Sequence, residues 1–414
     1  MKKTIIKIFV LMLLVTVVSC LSFNGKVLAD ETDKIVKTSE LLSGAVLEIE
    51  STNTTLIVDK DITLRKICGY GINELTILDS GNHTLKVYNP NGDAINLYKL
   101  TIDANVNAIG SRNGVFICEN SSYADGYLKI NGGNCSFVGN ETGARISRSD
   151  VEINGGNVNF YCSSEEALGF NCGGNGNKVE INKNAKVNIS AQGRHATAMA
   201  IYCPLYVNGG TLECYVLNAS QEYENTFHFD DYAIYCNSFV NVTDNGKIVA
   251  KNLNGTEDSM YLFSTGGNVL KSSCVSGIYC NELNVEGEVE ATGIYSKKDV
   301  KIDGKTKIEN TGYGVFAYDG NISLKGDVDI KTKVTSKYAY LISSICSKRG
   351  KIDLFGNVNI YAEDQCGIVA YDREYDTRCD VDINVSGNVK IKTTNGHICI
   401  DTAGHCIWLM GYLK

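Results

Sequence analysis

The chain contains almost no proline, two residues in 414. Proline cannot donate to a β ladder and is confined to edge strands and bulges, so a chain this poor in proline can be strand nearly throughout. Its composition, 43% apolar and 21% charged, is that of a folded protein. No amphipathic helical pattern alternates with the strand-like segments, which argues against βαβ folds.

The sequence lacks the features of a nucleic-acid-binding surface and of the common metal sites. No basic cluster follows residue 7 and the net charge is −8, so a nucleic-acid partner is not expected. The 16 cysteines contain no Cys-x-x-Cys pair, which excludes a zinc ribbon. Asp-rich turns could hold Ca²⁺, but the spacing of the known calcium loops is absent, so no metal or other cofactor is predicted.

The N-terminus has the pattern of an export signal. Two lysines precede the apolar run 8–18, and Val27-Leu28-Ala29 forms a small-residue cleavage site. We therefore predict a signal peptide over 1–29 and a secreted, extracellular protein without a transmembrane segment. The alternative is a lipoprotein anchored through Cys20, because Val17-Val18-Ser19-Cys20 resembles a lipobox.

One repeat runs through the remainder of the chain. Its first part is two apolar–x–apolar runs joined by a Gly/Asn turn, a strand–turn–strand pattern. Examples are YLKINGGNCSF (127–137), DVEINGGNVNF (150–160), DVKIDGKTKI (299–308) and KIDLFGNVNI (351–360). Its second part is a small-Ile-Tyr-Cys run, found at 200–203, 233–236 and 277–280, with relatives at 114–117, 293–296, 314–317 and 367–370.

Three short strands that cannot bury their own apolar face must stack on neighbouring copies. The sequence therefore predicts an all-β, single-stranded parallel β-helix over 45–414, a solenoid of roughly a dozen coils. A short capping helix is expected within 30–44, because Ile35, Leu41 and Leu42 have near-helical spacing and the end of a solenoid needs cover. At the other end, the only tryptophan, Trp408, could plug the last coil.

Three segments carry a family resemblance: KTSELLSGA (37–45), TLIVDKDITLRK (55–66) and LTILDSGNHTLKV (75–87). They resemble the opening of secreted bacterial β-helix proteins of the pectate-lyase-like kind. The INGG turns are similar to repeats of extracellular carbohydrate-binding β-helix proteins. The resemblance, together with the crossover rule for parallel strands, implies a right-handed helix. For function it implies carbohydrate binding.

Strand alternation assigns the two sides of the small-Ile-Tyr-Cys segments. Ile and Cys are expected inside, in a row of Cys203, Cys236 and Cys280, where a buried thiol is an inert small hydrophobe. A disulfide between adjacent coils is the alternative. The aromatic residues are expected outside as a ladder that could bind the flat face of a sugar, or that could only stabilise the sheet. The predicted ladder is Tyr202, Tyr235, Tyr279, Tyr295 and Phe316, with Phe116 in an earlier coil.

Acidic clusters are the candidates for catalysis. Glycoside hydrolysis needs two carboxylates converging on one face, and lyase chemistry needs a base with a cation. The weak candidates are His228, Asp230 and Asp231, the acids at 372, 374 and 376, and the pair at 194–195. None recurs on successive coils. We therefore expect a non-enzymatic solenoid that binds a polysaccharide or a host-surface glycan, or is adhesive. The alternatives are a lyase or hydrolase of acidic polysaccharides and a purely structural surface protein.

Overall fold

The computed structural model is a parallel β-solenoid whose coils have three faces. It describes residues 26–29, 34–50, 53–69, 71–117, 126–174, 177–193, 195–217, 232–253, 277–333, 343–370, 382–394, 400–402 and 407–411. Each coil contributes a strand to a first, a second and a third face before the chain climbs to the next coil. The described strands make up somewhat more than a dozen such coils, close to the number that the repeat predicts.

The bounds of the strands follow the repeat. The first face contains Lys34–Lys37, Thr54–Val58, Glu74–Asp79, Lys99–Asp103, Gly126–Gly132, Ser149–Ile153, Val179–Asn182, Leu205–Asn208, Val300–Ile302, Ile322–Leu324, Ile352–Leu354 and Ile407–Gly411. The second face contains Ile62–Leu64, Thr84–Asn89, Asn105–Gly110, Asn134–Gly139, Gly156–Ser163, Ala185–Gln192, Thr211–Leu217, Lys247–Asn252, Glu288–Ala291, Lys305–Thr311, Asp327–Lys333 and Asn357–Glu363.

The third face holds the small-Ile-Tyr-Cys segments. It contains Lys26–Ala29, Val46–Ile49, Lys66–Gly69, Ile95–Leu97, Asn113–Ile117, Thr142–Ser147, Glu166–Gly173, His195–Ile201, Ile294–Ser296, Val315–Ala317, Ser343–Ser347, Cys366–Ala370 and Ile400–Thr402. Three long strands turn a corner and serve two faces: Ile234–Thr243 and Ile278–Val285 join the third face to the first, and Ile383–Thr393 joins the first to the second.

Equivalent residues of successive coils pair in parallel. Leu100, for example, lies between Leu75 of the preceding coil and Leu128 of the next. All three are fully buried, and the intervening residues of each strand point outward. The core is therefore a single apolar interior that runs along the solenoid, and the period-two alternation of the sequence is confirmed.

The asparagine of the recurring INGG turn forms a ladder across coils. Asn154 Nδ2 donates to Asn131 Oδ1 over 3.0 Å, Asn182 donates to Asn154 over 2.8 Å, and Asn208 donates to Asn182 over 3.1 Å. A glycine follows because the turn requires the left-handed region: Gly133 has φ +83°, and a Cβ there would collide with the carbonyl oxygen of Ala104. The motif therefore encodes both the turn and its bond to the next coil.

The N-terminal cap differs from the expected helix. Lys34–Lys37 is a strand that pairs in parallel with residues 54–57, and only one 3-10 turn, Thr38–Glu40, follows it. The Asp59 carboxylate accepts hydrogen bonds from Ser39 N and Ser39 Oγ, at 2.7 and 2.6 Å, and this fixes the turn. Of the three apolar residues with helical spacing, Leu41 is buried, whereas Ile35 and Leu42 are exposed.

The C-terminal strand Ile407–Gly411 extends the first face by pairing with residues 383–387. Its backbone is described and its side chains are not, so the predicted plug at Trp408 stays a prediction. Among the residues that the structure describes, none belongs to a helix with the length and apolarity that membrane crossing requires.

Candidate functional site

The aromatic residues of the third face form a stacked column. The ring centroids of Tyr235 and Tyr279 are 5.1 Å apart with an interplanar angle of 12°. Those of Tyr279 and Tyr295 are 4.9 Å apart at 4°, and those of Tyr295 and Phe316 are 5.2 Å apart at 20°. Each ring is directly in register with the next, as expected for identical positions on successive coils. Four of the five residues of the predicted ladder are therefore brought together.

Three rings of this column are buried. Tyr235 is 6% exposed, Tyr295 9% and Phe316 4%, and the ring faces are occupied by neighbouring rings. Tyr232 also packs on the column, with its ring centroid 5.3 Å from that of Tyr279. Burial raises the pKa of the Tyr235, Tyr279 and Tyr295 hydroxyls. The column contributes to the packing of the solenoid, which agrees with the alternative of a ladder that stabilises the sheet. Sugar stacking on it stays a prediction.

Tyr202 does not belong to the column. The segment at 200–203 was expected to align with 233–236 residue by residue, but Ala200 pairs with Tyr235 and Ile201 with Cys236. The motif is thus offset by two residues at this coil, and Met199 occupies the buried position that corresponds to Ile234 on the next coil. Tyr202 is 43% exposed and touches Tyr235 edge-on, with centroids 5.9 Å apart.

Phe116 is likewise separate from the column. Its neighbour on the next coil is Arg145, whose guanidinium lies 5.7 Å from the ring centroid. Asn171 and Ala200 then follow in the same row before Tyr235 begins the column. The aromatic row therefore does not extend to this coil.

The cysteines of the third face are buried thiols. Cys236 and Cys280 are in register and fully buried, and burial raises the pKa of Cys236 to about 12. Cys203 lies out of this row: its Sγ is 3.8 Å from that of Cys172, and its carbonyl oxygen accepts from Cys236 Sγ. All ten described cysteines are buried. The thiol row is therefore partly confirmed, and its expected member Cys203 is displaced by the register offset.

The acidic candidates cannot be placed. His228, Asp230 and Asp231 lie outside the described residues, as do the acids at 372, 374 and 376 and residue 194. His195 begins a strand of the third face, and only its backbone is described. Within the described ranges, no group of three or more His, Cys, Asp or Glu side chains could hold a metal ion.

A different surface emerges on the second face, which sequence reasoning did not single out. We call it the amide surface: the outward side chains of Thr84–Asn89, Asn105–Gly110, Asn134–Gly139 and Gly156–Ser163. It encloses a shallow depression of about 400 Å³. The depression is lined by Asn82, Thr84, Asn105, Val106, Asn107, Asn134, Cys135, Ser136 and Asn159.

Two polar rows cross the amide surface along the solenoid. In the first row, Asn134 Nδ2 donates to Asn105 Oδ1 over 3.3 Å, and Asn157 Nδ2 donates to Asn134 Oδ1 over 3.0 Å. The second row lies two residues further along each strand and contains Asn107, Ser136 and Asn159 in register. The sequence pattern that could have revealed these rows is the alternation of polar and apolar residues. Asn or Ser stands at consecutive outward positions in NVNAI (105–109), NCSFV (134–138) and NVNFY (157–161).

An apolar row runs beside the two polar rows. Two residues beyond the second row, Tyr88, Ile109, Val138 and Tyr161 are aligned on successive coils. Tyr88 is 54% exposed and Ile109 38%. The hydroxyl of Tyr161 donates to Gln192 Oε1 over 2.8 Å, which fixes this ring at the edge of the surface. Here, unlike on the third face, aromatic and aliphatic groups are open to solvent beside amides.

Later coils of the second face carry charges instead. Lys251 Nζ lies 2.6 Å from Glu290 Oε1, and Lys307 lies 3.6 Å from the same carboxylate and 3.4 Å from that of Glu309. We call these paired side chains of residues 247–333 the charged ladder. The hydrogen bond from Lys251 lowers the pKa of Glu290, and Glu309 raises the pKa of Lys307. The charges compensate one another within the sheet.

No protein-family model, no curated protein and no solved structure matches the chain. The class defined by the coordinates is therefore a parallel β-solenoid with an open amide surface on one face. The closer likeness to pectate-lyase-like proteins stays a prediction from the sequence.

Proposed function

We propose that this chain is an exported, non-enzymatic solenoid that binds glycans on the amide surface of its second face. The observation that carries the proposal is the juxtaposition of two amide and hydroxyl rows with an exposed apolar row. Sugars offer the complementary groups, hydroxyls around a ring and an apolar ring face. Polar groups that fix orientation beside apolar contacts are the general composition of ligand sites.

The hydrogen-bonding capacity of the first row supports this proposal. An asparagine amide has two N–H donors, and Asn134 and Asn157 each direct one of them to the preceding amide. The second N–H of each group is available to a hydroxyl ligand. Since the ladder bonds hold the amides in place, little side-chain freedom would be lost on binding.

The experiment compares two asparagines in equivalent rows of the second face. Asn159→Ala removes an exposed amide from the amide surface, and Asn359→Ala removes an exposed amide from a distant coil. Binding of both variants and the wild type to immobilised neutral and acidic polysaccharides is measured by affinity electrophoresis. We expect Asn159→Ala and Tyr88→Ala to weaken retention about tenfold, and Asn359→Ala to leave it unchanged.

Two results would contradict the proposal. If the wild type is retained on no polysaccharide, the protein does not bind glycans. If Asn159→Ala and Asn359→Ala are retained equally, the amide surface is not the binding site. Measurable depolymerisation of any polysaccharide, with or without Ca²⁺, would contradict the non-enzymatic assignment and favour a lyase or hydrolase.

Export is part of the proposal and has its own test. We propose cleavage after Ala29, with a lipid anchor on Cys20 as the alternative. Lys26–Ala29 pairs in parallel with Val46–Ile49, so cleavage after Ala29 would remove one strand of the third face. Mass spectrometry of the mature N-terminus decides between the two: Asp30 is the expected first residue, and diacylglyceryl-Cys20 is the contradicting one.

A further inference from the structure

The rows of the amide surface run along the solenoid axis, not along the strands. Successive members of a row belong to successive coils, for example Asn107, Ser136 and Asn159. Adjacent parallel strands are about 4.8 Å apart, so the same pattern of groups repeats at that interval. One pyranose ring in a linear polysaccharide has a similar length. A chain lying along the axis would therefore present one sugar to each coil.

The width of the surface fits one such chain. The two polar rows and the apolar row are each separated by two residues, which is about 7 Å along a strand. A sugar over the second row would reach the amides of the first row on one side and the apolar row on the other. Tyr88, Ile109 and Tyr161 would then meet ring faces or edges of consecutive sugars along one side of the chain.

The surface is also almost without charge. Lys86 is the one charged outward side chain on the four strands that form it. Further along the second face, three lysines each have a carboxylate oxygen within 3.6 Å of the ammonium nitrogen: Lys247, Lys251 and Lys307. On the three strands Asn105–Gly110, Asn134–Gly139 and Gly156–Ser163, a uronate or sulfate group would lose hydration without meeting a cation.

From the axial repeat and the absence of charged outward side chains on Asn105–Gly110, Asn134–Gly139 and Gly156–Ser163, we infer that the ligand is an uncharged linear polysaccharide lying along the solenoid axis, one sugar per coil. This inference rests on the proposed function and adds the substrate class and the direction of the chain. Its consequence is that affinity grows with chain length until the sugars span the four coils of the surface. A chain lying along one strand would cross the three rows within a single coil, so a bulky side chain on another coil would leave its binding unchanged.

Calorimetric titration with neutral oligosaccharides of increasing length tests the inference. The probes are β-1,4-linked gluco- and manno-oligosaccharides from dimer to octamer, with oligogalacturonates as acidic counterparts. At one net hydrogen bond per sugar, each added residue should tighten binding roughly fivefold up to about four sugars, with little gain beyond. Oligogalacturonates should bind at least tenfold more weakly than neutral chains of equal length.

A variant in the middle of the row provides a structural check. Ser136→Glu places a longer side chain across the axial path, so long oligosaccharides should bind no better than dimers. The matched control, Asn359→Glu, should keep the full length dependence. Circular dichroism and the thermal midpoint of both variants establish that each is folded before the titration is interpreted.

The outcomes separate the inference from the proposed function. Binding that is lost in Asn159→Ala but does not depend on length, or that is as tight for oligogalacturonates, overturns the axial neutral chain and leaves the glycan site standing. A Ser136→Glu protein that retains the length dependence overturns the axial path. If neither neutral nor acidic oligosaccharides or polysaccharides bind, the proposed function fails and the inference fails with it.

Discussion

The ring of Tyr279 lies flat on that of Tyr295, at 4.9 Å between centroids and 4° between planes. Residues of successive coils that pair in register are brought to ring-stacking distance by the strand spacing alone. The stacking is thus a direct product of the repeat, and it places large apolar area between the coils.

Removing one ring from this column should destabilise the protein. We expect Tyr279→Ala to cost roughly 3–5 kcal/mol of unfolding free energy, since it empties a slot between two stacked rings. Tyr202→Ala, at an exposed ring that touches the column only at its edge, should cost less than about 1 kcal/mol. Thermal and denaturant unfolding measure both. A Tyr279→Ala protein as stable as the wild type would contradict the structural role, and lost glycan binding in the folded variant would return the column to the candidate sites.

Alkaline pH should weaken the same column. Burial raises the pKa of Tyr279 and Tyr295 above the ordinary value of 10.0, so the unfolded chain releases these protons first. Their contribution is fully present below pH 10 and is lost as pH rises through the folded-state pKa. The Tyr279→Phe/Tyr295→Phe double variant keeps the rings without the hydroxyls. It should lose less stability above pH 10 than the wild type in denaturant titrations, and equal losses would refute the assignment.

The thiols of the third face should be unreactive in the native protein. Burial raises the pKa of Cys236 to about 12 and also raises that of Cys280, so the thiolate is scarce at neutral pH and shielded from reagents. Iodoacetamide followed by peptide mass spectrometry should find these two residues unmodified in the native state and alkylated in denaturant. Native alkylation at the rate of an unfolded control would argue for an accessible, functional thiol.

The charged ladder should respond to acid and to salt. The hydrogen bond from Lys251 lowers the pKa of Glu290 below 4.5, so its stabilisation is present above pH 4.5 and is lost as pH falls through the folded-state pKa. Glu290→Gln should cost about 1 kcal/mol or less at neutral pH and low ionic strength, because the pair is partly solvated. The difference from wild type should shrink in 1 M salt, where the Debye length is about 3 Å. A difference that is unchanged by salt would rule out an electrostatic origin.

The repeat predicted the fold well because its information is local. Alternation and Gly/Asn turns define three strands per coil, and stacking is the only way such a unit buries its apolar side. The small-Ile-Tyr-Cys motif was harder to interpret, because a match of letters does not fix the register. The motif at 200–203 is shifted by two residues relative to the motif at 233–236. Met199 therefore occupies the buried position that Ile234 occupies on the next coil, and Tyr202 lies at the surface.

The candidate site could not be predicted in the same way. Alternation correctly assigned Tyr235 and Tyr279 to the outer side of the strand, but the outer side is not always exposed. Whether an outward side chain is buried depends on residues outside its strand that pack against it. The alternation within the strand carries no information about that packing. The open amides of the second face alternate with buried residues in the sequence, but Asn is also common in turns, so the alternation alone did not single them out.

The pairing of each coil with its two neighbours gives the molecule a modular length. A duplicated coil of the amide surface would add one member to each of the two polar rows and to the apolar row, and one step of about 4.8 Å, while every existing contact keeps its form. Under the proposed axial binding, lengthening or shortening the protein by whole coils would set how many sugars it contacts, without redesign of any single contact.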